Sequence, residues 1–180
     1  MRRAAAILGL CVCGGCESVP RAGGQSAGGD RVLVPAFPVE EIRVYPLTHF
    51  DTTEAGEPVV VLHFELLDAF RDPLKAPGRL RVVALVPITP SGRELRNALS
   101  WDVDLADPAV NSRYFDTATQ TYRVRLGQLS GEVVAALSGH GPGGESGFVE
   151  LGVTFDTTGP DGDPSSLRNR YVLRAEVQDG

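Results

Sequence analysis

Beyond residue 16 the chain contains no cysteine. That absence excludes a secreted domain stapled by disulfides, and equally a cysteine-based metal or redox site in the body. Lysine is almost missing too: of 17 basic residues only Lys75 is a lysine, which we read as the coding bias of a GC-rich genome and not as arginine selected for phosphate. Against 23 acidic residues the net charge is −6, so the clustered positive charge that neutralises nucleic-acid phosphates is lacking. No apolar run approaches the roughly 20 residues needed to span about 30 Å of hydrocarbon. What is present, 42% hydrophobic and 22% charged residues, excludes wholesale disorder and a multi-span membrane protein. The 180 residues suffice for one domain, or a domain with a tail. With 21 Gly and 13 Pro the chain is better suited to loop-connected strands than to helices.

The first sixteen residues have an order of their own. Arg2 and Arg3 form a charged start, and Ala4 to Val12 form a short apolar stretch, the shape of a cleavable secretion signal. Gly14 and Gly15 then precede Cys16. This ending resembles the lipobox of bacterial lipoproteins, in which small residues precede a cysteine that receives a diacylglyceryl group; Cys13 stands where the lipobox usually holds Leu, Val or Ile. Cys11, after bulky Leu10, and Cys13, after Val12, fit the acceptor position less well. The resemblance implies a signal peptide over residues 1–15, lipidation at Cys16, a membrane anchor through that lipid, and a location in the cell envelope on the periplasmic or outer-membrane side. Glu17 to Asp30 is rich in Gly, Ser and Ala without hydrophobic periodicity and reads as a flexible tether, part of a segment 16–38, with an r.m.s. reach of roughly 20 Å.

From Glu40 onward the hydrophobic period is two. Val60, Leu62, Phe64 and Leu66 alternate with Val61, His63 and Glu65; Leu80, Val82, Ala84 and Val86 alternate with Arg79, Arg81, Val83 and Leu85. The same rhythm runs through Trp101–Leu105, Tyr122–Leu126, Val149–Phe155 and Tyr171–Val177, and Ile42 with Val44 fits a short edge strand. That makes seven strands, with an eighth possible at Glu132 to Leu137. Turn signals separate them, among them Glu54-Ala55-Gly56, Pro90-Ser91-Gly92 and Gly159-Pro160-Asp161-Gly162. Alternation with one polar face predicts antiparallel sheets, and seven or eight such strands predict an all-β, two-sheet antiparallel sandwich over residues 39–178. Asp107-Pro108 to Tyr114 predicts one helical turn, with Asp as N-cap and Pro at the first helical position.

The stretch His63 to Leu85 resembles the strand–turn–strand of transthyretin-like and Ig-like modules: Asp68, Pro73 and Leu74 match, while Arg71 stands where those modules usually carry Gly. Tyr114 to Leu126, with Asp116, Thr119 and Tyr122, resembles their later turn and strand. Gly56-Glu57-Pro58-Val59-Val60-Val61, running on to Phe70, is similar to the opening strand of the transthyretin-like outer-membrane lipoprotein of type VI secretion systems. These resemblances imply a sandwich and, for the last, docking of a partner protein.

Catalytic motifs are missing. No Ser sits in Gly-x-Ser-x-Gly, and His49, His63 and His140 lie in no His-Glu-x-x-His pattern. The glycine-rich run Gly139 to Gly147 lacks the phosphate-binding Lys and reads as a long hairpin loop. Asp102 and Asp104 share the outward face of a strand, and Asp161 and Asp163 flank Gly162; both pairs offer hard oxygen ligands for calcium, although a solvated face and turn preference explain them as well. His63, opposite an apolar row, is expected at the surface, able to pair with Glu65. Trp101 is expected in the core with Val103 and Leu105. The sequence therefore predicts a non-catalytic, lipid-anchored envelope protein without cofactor or nucleic-acid partner, binding an envelope protein or a cell-wall component through a sheet edge or loops. A calcium-dependent carbohydrate or cell-wall binding module is the other reading.

Overall fold

The computed structural model describes residues 37–89, 91–141 and 147–174. The predicted signal, Cys16 and the tether up to residue 36 lie outside the described residues, as do Ala175 and Val177 of the last predicted strand.

Ten strands and two short helices follow in the order β1 (Glu41–Val44), β2 (His49–Thr52), β3 (Pro58–Leu67), β4 (Pro73–Leu74), β5 (Arg79–Pro87), β6 (Leu95–Asp104), α1 (Pro108–Tyr114), β7 (Phe115–Asp116), β8 (Thr121–Leu126), α2 (Gly131–Leu137), β9 (Phe148–Thr158) and β10 (Pro164–Arg174). They form two antiparallel sheets, as predicted. In the first, β3 is central, with β1 and β2 successively along one edge and β8 and β4 along the other, and β7 outside β8. The second runs β10-β9-β5-β6. The chain is an all-β two-sheet sandwich, and its described residues hold three more strands than the seven read from alternation.

The core follows from the period of two. Val60, Leu62, Phe64 and Leu66 of β3 and Tyr122, Val124 and Leu126 of β8 face Leu80, Val82 and Ala84 of β5 and Val149, Leu151, Val153 and Phe155 of β9, all buried in one cluster. Burying each such large side chain contributes about 1.5–3 kcal/mol. Between Ala84 and Leu85 the register against β6 shifts, leaving Ala98 as the extra residue of a bulge. Asn169 of β10 donates to the Ile42 carbonyl of β1 at 3.0 Å, so a side chain bridges the two sheets where their edges meet. Gly78, before β5, admits no side chain: a Cβ there would stand 2.5 Å from the Phe155 ring and 2.6 Å from the Asp156 carbonyl oxygen.

The helical turn after Asp107 forms as predicted; the Asp107 carboxylate accepts from the amides of Ala109 at 2.7 Å and Val110 at 2.9 Å. The expected eighth strand at Glu132–Leu137 is instead helix α2. Ser130 caps it, Glu132 lies in its first turn, and Val133, Ala136 and Leu137 are buried at helical spacing. Gly139 takes φ 73° after this helix, and the His140 amide donates back to the Ala135 carbonyl at 2.8 Å, closing the helix as a Schellman turn. The Gly139–Gly147 segment therefore joins a helix to a strand and is no hairpin; residues 142–146 of it lie outside the described residues.

Candidate functional site

The polar face of the first sheet gathers more charged and titratable groups than the alternation alone predicts. Opposite the core row, β3 presents Val59, Val61, His63, Glu65 and Leu67. Strand register places Arg123 of β8 beside His63 and Arg43 of β1 beside Glu65. His49 of β2 and Arg125 of β8 flank Val61. Asp116 of β7 is paired with Thr121 of β8, the next residue of that strand on this face.

His63 is a correction to the surface reading. It is only 7% exposed, and Glu65 only 6%. The backbone explains part of this. Between β1 and β2 the ladder is interrupted, and Thr48 fills the gap: its hydroxyl accepts from the His63 amide at 3.0 Å and donates to the His63 carbonyl at 3.2 Å. That contact holds β2 in line, and the His49 ring stacks near the His63 ring with centroids 6.4 Å apart and planes 25° apart. Nδ1 of His49 lies 2.7 Å from the Leu47 carbonyl, which makes that nitrogen the donor whenever the ring is neutral. Nδ1 of His63 has no hydrogen-bond partner among the described residues.

The expected His63–Glu65 pair does not form. Glu65 instead meets Arg43, whose guanidinium nitrogen lies 2.9 Å from Oε1. That oxygen lacks an aligned hydrogen-bond donor, so the contact is one of charge and not of geometry. Arg43 also reaches Glu41 at 3.5 Å, and Glu41 takes Arg71 at 3.1 Å, so two arginines and two glutamates form a chain along the β1 edge.

Burial lowers the pKa of His63 from its ordinary value of 6.5, and the nearby Arg123 and His49 push it the same way against the weaker pull of Asp116. The folded imidazole therefore holds a proton less readily than the unfolded chain does. Stability rises with pH wherever the unfolded state binds more protons, so this residue contributes a loss of stability as pH falls below 6.5. The Arg71 hydrogen bond lowers the Glu41 carboxyl from 4.5 despite opposing desolvation, and its contribution is lost only at more acid pH, below 4.5. Melting temperatures measured from pH 7.5 down to 5 should fall in wild type and fall less in His63→Gln; an unchanged slope in the variant would assign the effect to another group.

Other predicted residues are placed singly. Asp102 and Asp104 do lie together on the outer face of the second sheet, but Asp102 is held by Arg81 at 3.0 Å and Asp104 accepts from the Ala106 amide at 2.9 Å. Asp161 and Asp163 lie exposed in the β9–β10 turn, closed by the Gly159 amide on the Asp163 carbonyl at 2.8 Å. Among the described residues no three His, Cys, Asp or Glu side chains converge as metal ligands. Trp101 faces the core but lies half-buried at its margin, donating from Nε1 to the Gly127 carbonyl at 2.8 Å.

A second buried polar node has a structural role. Asn111 of α1 donates to the carbonyls of Ala76 at 2.8 Å and Leu105 at 2.9 Å, and its Oδ1 accepts from the Tyr122 hydroxyl at 3.0 Å. Tyr122 in turn accepts from the Ala76 amide at 3.2 Å. Burial raises the Tyr122 pKa above 10, so the phenol keeps the proton it donates. Every bond-forming atom of this node is committed to the fold.

No family profile and no curated protein matches the sequence. Among solved structures the chain is similar to MtrC from Shewanella baltica OS185, with 11% identity and a TM-score of 0.47 over 77% of this chain. The match covers 22% of MtrC, so the chain spans about a fifth of that protein's length. What the structure shows of this chain is its fold class, an all-β antiparallel sandwich.

Proposed function

We propose that the chain is a bacterial envelope lipoprotein, anchored through lipid on Cys16, whose sandwich is a non-catalytic binding module. The observation that carries this reading is the order of residues 2–16: paired arginines, a nine-residue apolar stretch, then Gly14-Gly15-Cys16. The face carrying the exposed Arg123 and Arg125 and half-buried His49 is the recognition surface in this reading, because it concentrates arginine and imidazole donors on paired strands. The partner is an envelope protein or a cell-wall component with acceptor groups.

The finer transthyretin-like or Ig-like reading is supported at one position: Arg71 takes φ 69° where those modules carry Gly, the residue such a backbone favours. Docking in the manner of the type VI secretion lipoprotein rests on Gly56–Val61 alone. The calcium-dependent reading gains nothing from Asp102 and Asp104, which are engaged by Arg81 and the Ala106 amide.

Expression in a bacterium that processes lipoproteins tests the anchor. Wild type should be found in the membrane fraction and incorporate labelled palmitate, whereas Cys16→Ser should accumulate as unlabelled precursor. Normal cleavage and membrane retention of Cys16→Ser would overturn the proposal.

A further inference from the structure

The β3–β4 turn holds a phenylalanine out in water by means that cost the fold something. Phe70 is 76% exposed, and Phe37, where the described chain begins, is 55% exposed. Their rings meet edge to face, with centroids 6.4 Å apart and planes at 89°. The turn beneath Phe70 is rigid. The buried Asp68 carboxylate accepts from the amides of Phe70 at 2.8 Å and Asp72 at 3.0 Å, and the Asp68 carbonyl accepts from the Arg71 amide at 3.0 Å. Arg71 closes the turn at φ 69°, a left-handed backbone that is strained for a side chain of its kind, with its guanidinium tied to Glu41. A buried carboxylate and a strained arginine thus fix a large apolar ring at the tip of a loop, where its exposure is not a product of slack.

The position of this tip relative to the anchor supplies the ligand. Phe37 is the first described residue, and the 20 residues 17–36 separate it from Cys16, a length whose r.m.s. reach as a flexible chain is roughly 25 Å. Aromatic rings suit the boundary between headgroups and acyl chains, and Arg71 beside Phe70 reaches solvent with its side chain 68% exposed while its guanidinium pairs with Glu41.

We propose that the Phe37–Phe70 tip is a lipid-contacting surface that enters the membrane interface beside the anchor, setting the orientation of the sandwich on the membrane. This inference rests on the anchored reading above. Two rings alone bind a bilayer weakly, but a tether turns their contact into an intramolecular event at high effective concentration. The contact therefore forms in the lipidated chain.

The test places an indole at the tip. Mature lipidated chain carrying Phe70→Trp in a Trp101→Phe background is reconstituted into phosphatidylcholine vesicles doped with phosphatidylglycerol, with and without bromine on the acyl chains. Because Phe70 is exposed, the substitution leaves the fold intact, which circular dichroism checks. Brominated lipid should quench the introduced indole by about twofold, since interfacial groups sit some 5–10 Å into the boundary; the native Trp101 in otherwise wild-type chain should be quenched far less. Adding Phe37→Ser should reduce the quenching at the tip. Equal quenching at both sites while the chain floats with the vesicles would overturn the tip contact and leave the anchor standing. Failure of the mature chain to float with vesicles at all would overturn both.

Discussion

Tyr122→Ala should lower the free energy of unfolding by about 4 kcal/mol, within the range for loss of a large buried aromatic. Tyr122 is fully buried, stacks on Phe64 at 4.9 Å between centroids and meets Phe115 edge to face at 5.2 Å. Its hydroxyl links α1, through Asn111, to the Ala76 amide ahead of β5. Truncation removes the ring, leaves a cavity between the sheets, and strands the Ala76 amide and the Asn111 carbonyl oxygen. Tyr122→Phe keeps the ring and should cost only about 1–3 kcal/mol, the penalty for buried polar groups left unpaired. Denaturant unfolding of the three proteins separates the two parts. Equal losses for Phe and Ala would mean that the hydroxyl network, and not the packing, carries the contribution.

Arg43→Ala should destabilise the sandwich by about 2 kcal/mol, below the 3–5 kcal/mol for breaking a fully buried pair because Arg43 is partly solvated. The side chain of Arg43 is 39% exposed but that of Glu65 only 8%, so the substitution abandons a nearly buried carboxylate. Glu65→Gln removes the charge and should recover most of the loss when combined with Arg43→Ala. Such recovery is a coupling that a double-mutant cycle reads directly. Additive effects of the two substitutions would show that the carboxylate gains nothing from Arg43, and would remove the pair from the description of this face.

The architecture was legible where one face of a strand is apolar and long enough to repeat. β5 and β9 each show three or more alternations, and their inward residues are the buried ones. β2 escaped notice because His-Phe-Asp-Thr offers a single apolar residue. The α2 segment misled because Val133-Val134-Ala135-Ala136-Leu137 is a short unbroken apolar run, which suits a strand or a helix equally. The informative signals there were the Ser130 cap and Glu132 behind it.

The polar face was only half legible. His63 and Glu65 announce a polar side of β3 by their spacing, and alternation assigns such a side to solvent. Their burial depends on what lies across the sheet. Arg43 and Arg123 come from strands 20 and 60 residues away in sequence, brought alongside by register, and register is set by turn geometry and core packing that no local pattern encodes. Arg71 adopts a left-handed backbone that its own residue type does not announce, since glycine is the residue such a conformation favours.

Mass spectrometry of the mature N-terminal peptide decides whether lipid on Cys16 holds this sandwich at a membrane, as we propose. Protein extracted from membranes and digested should yield a first peptide beginning at Cys16, heavier than its sequence by a diacylglyceryl group, with no peptide from residues 1–15. An unmodified peptide spanning Gly14-Gly15-Cys16, or a mature chain that begins elsewhere, would overturn the lipid anchor.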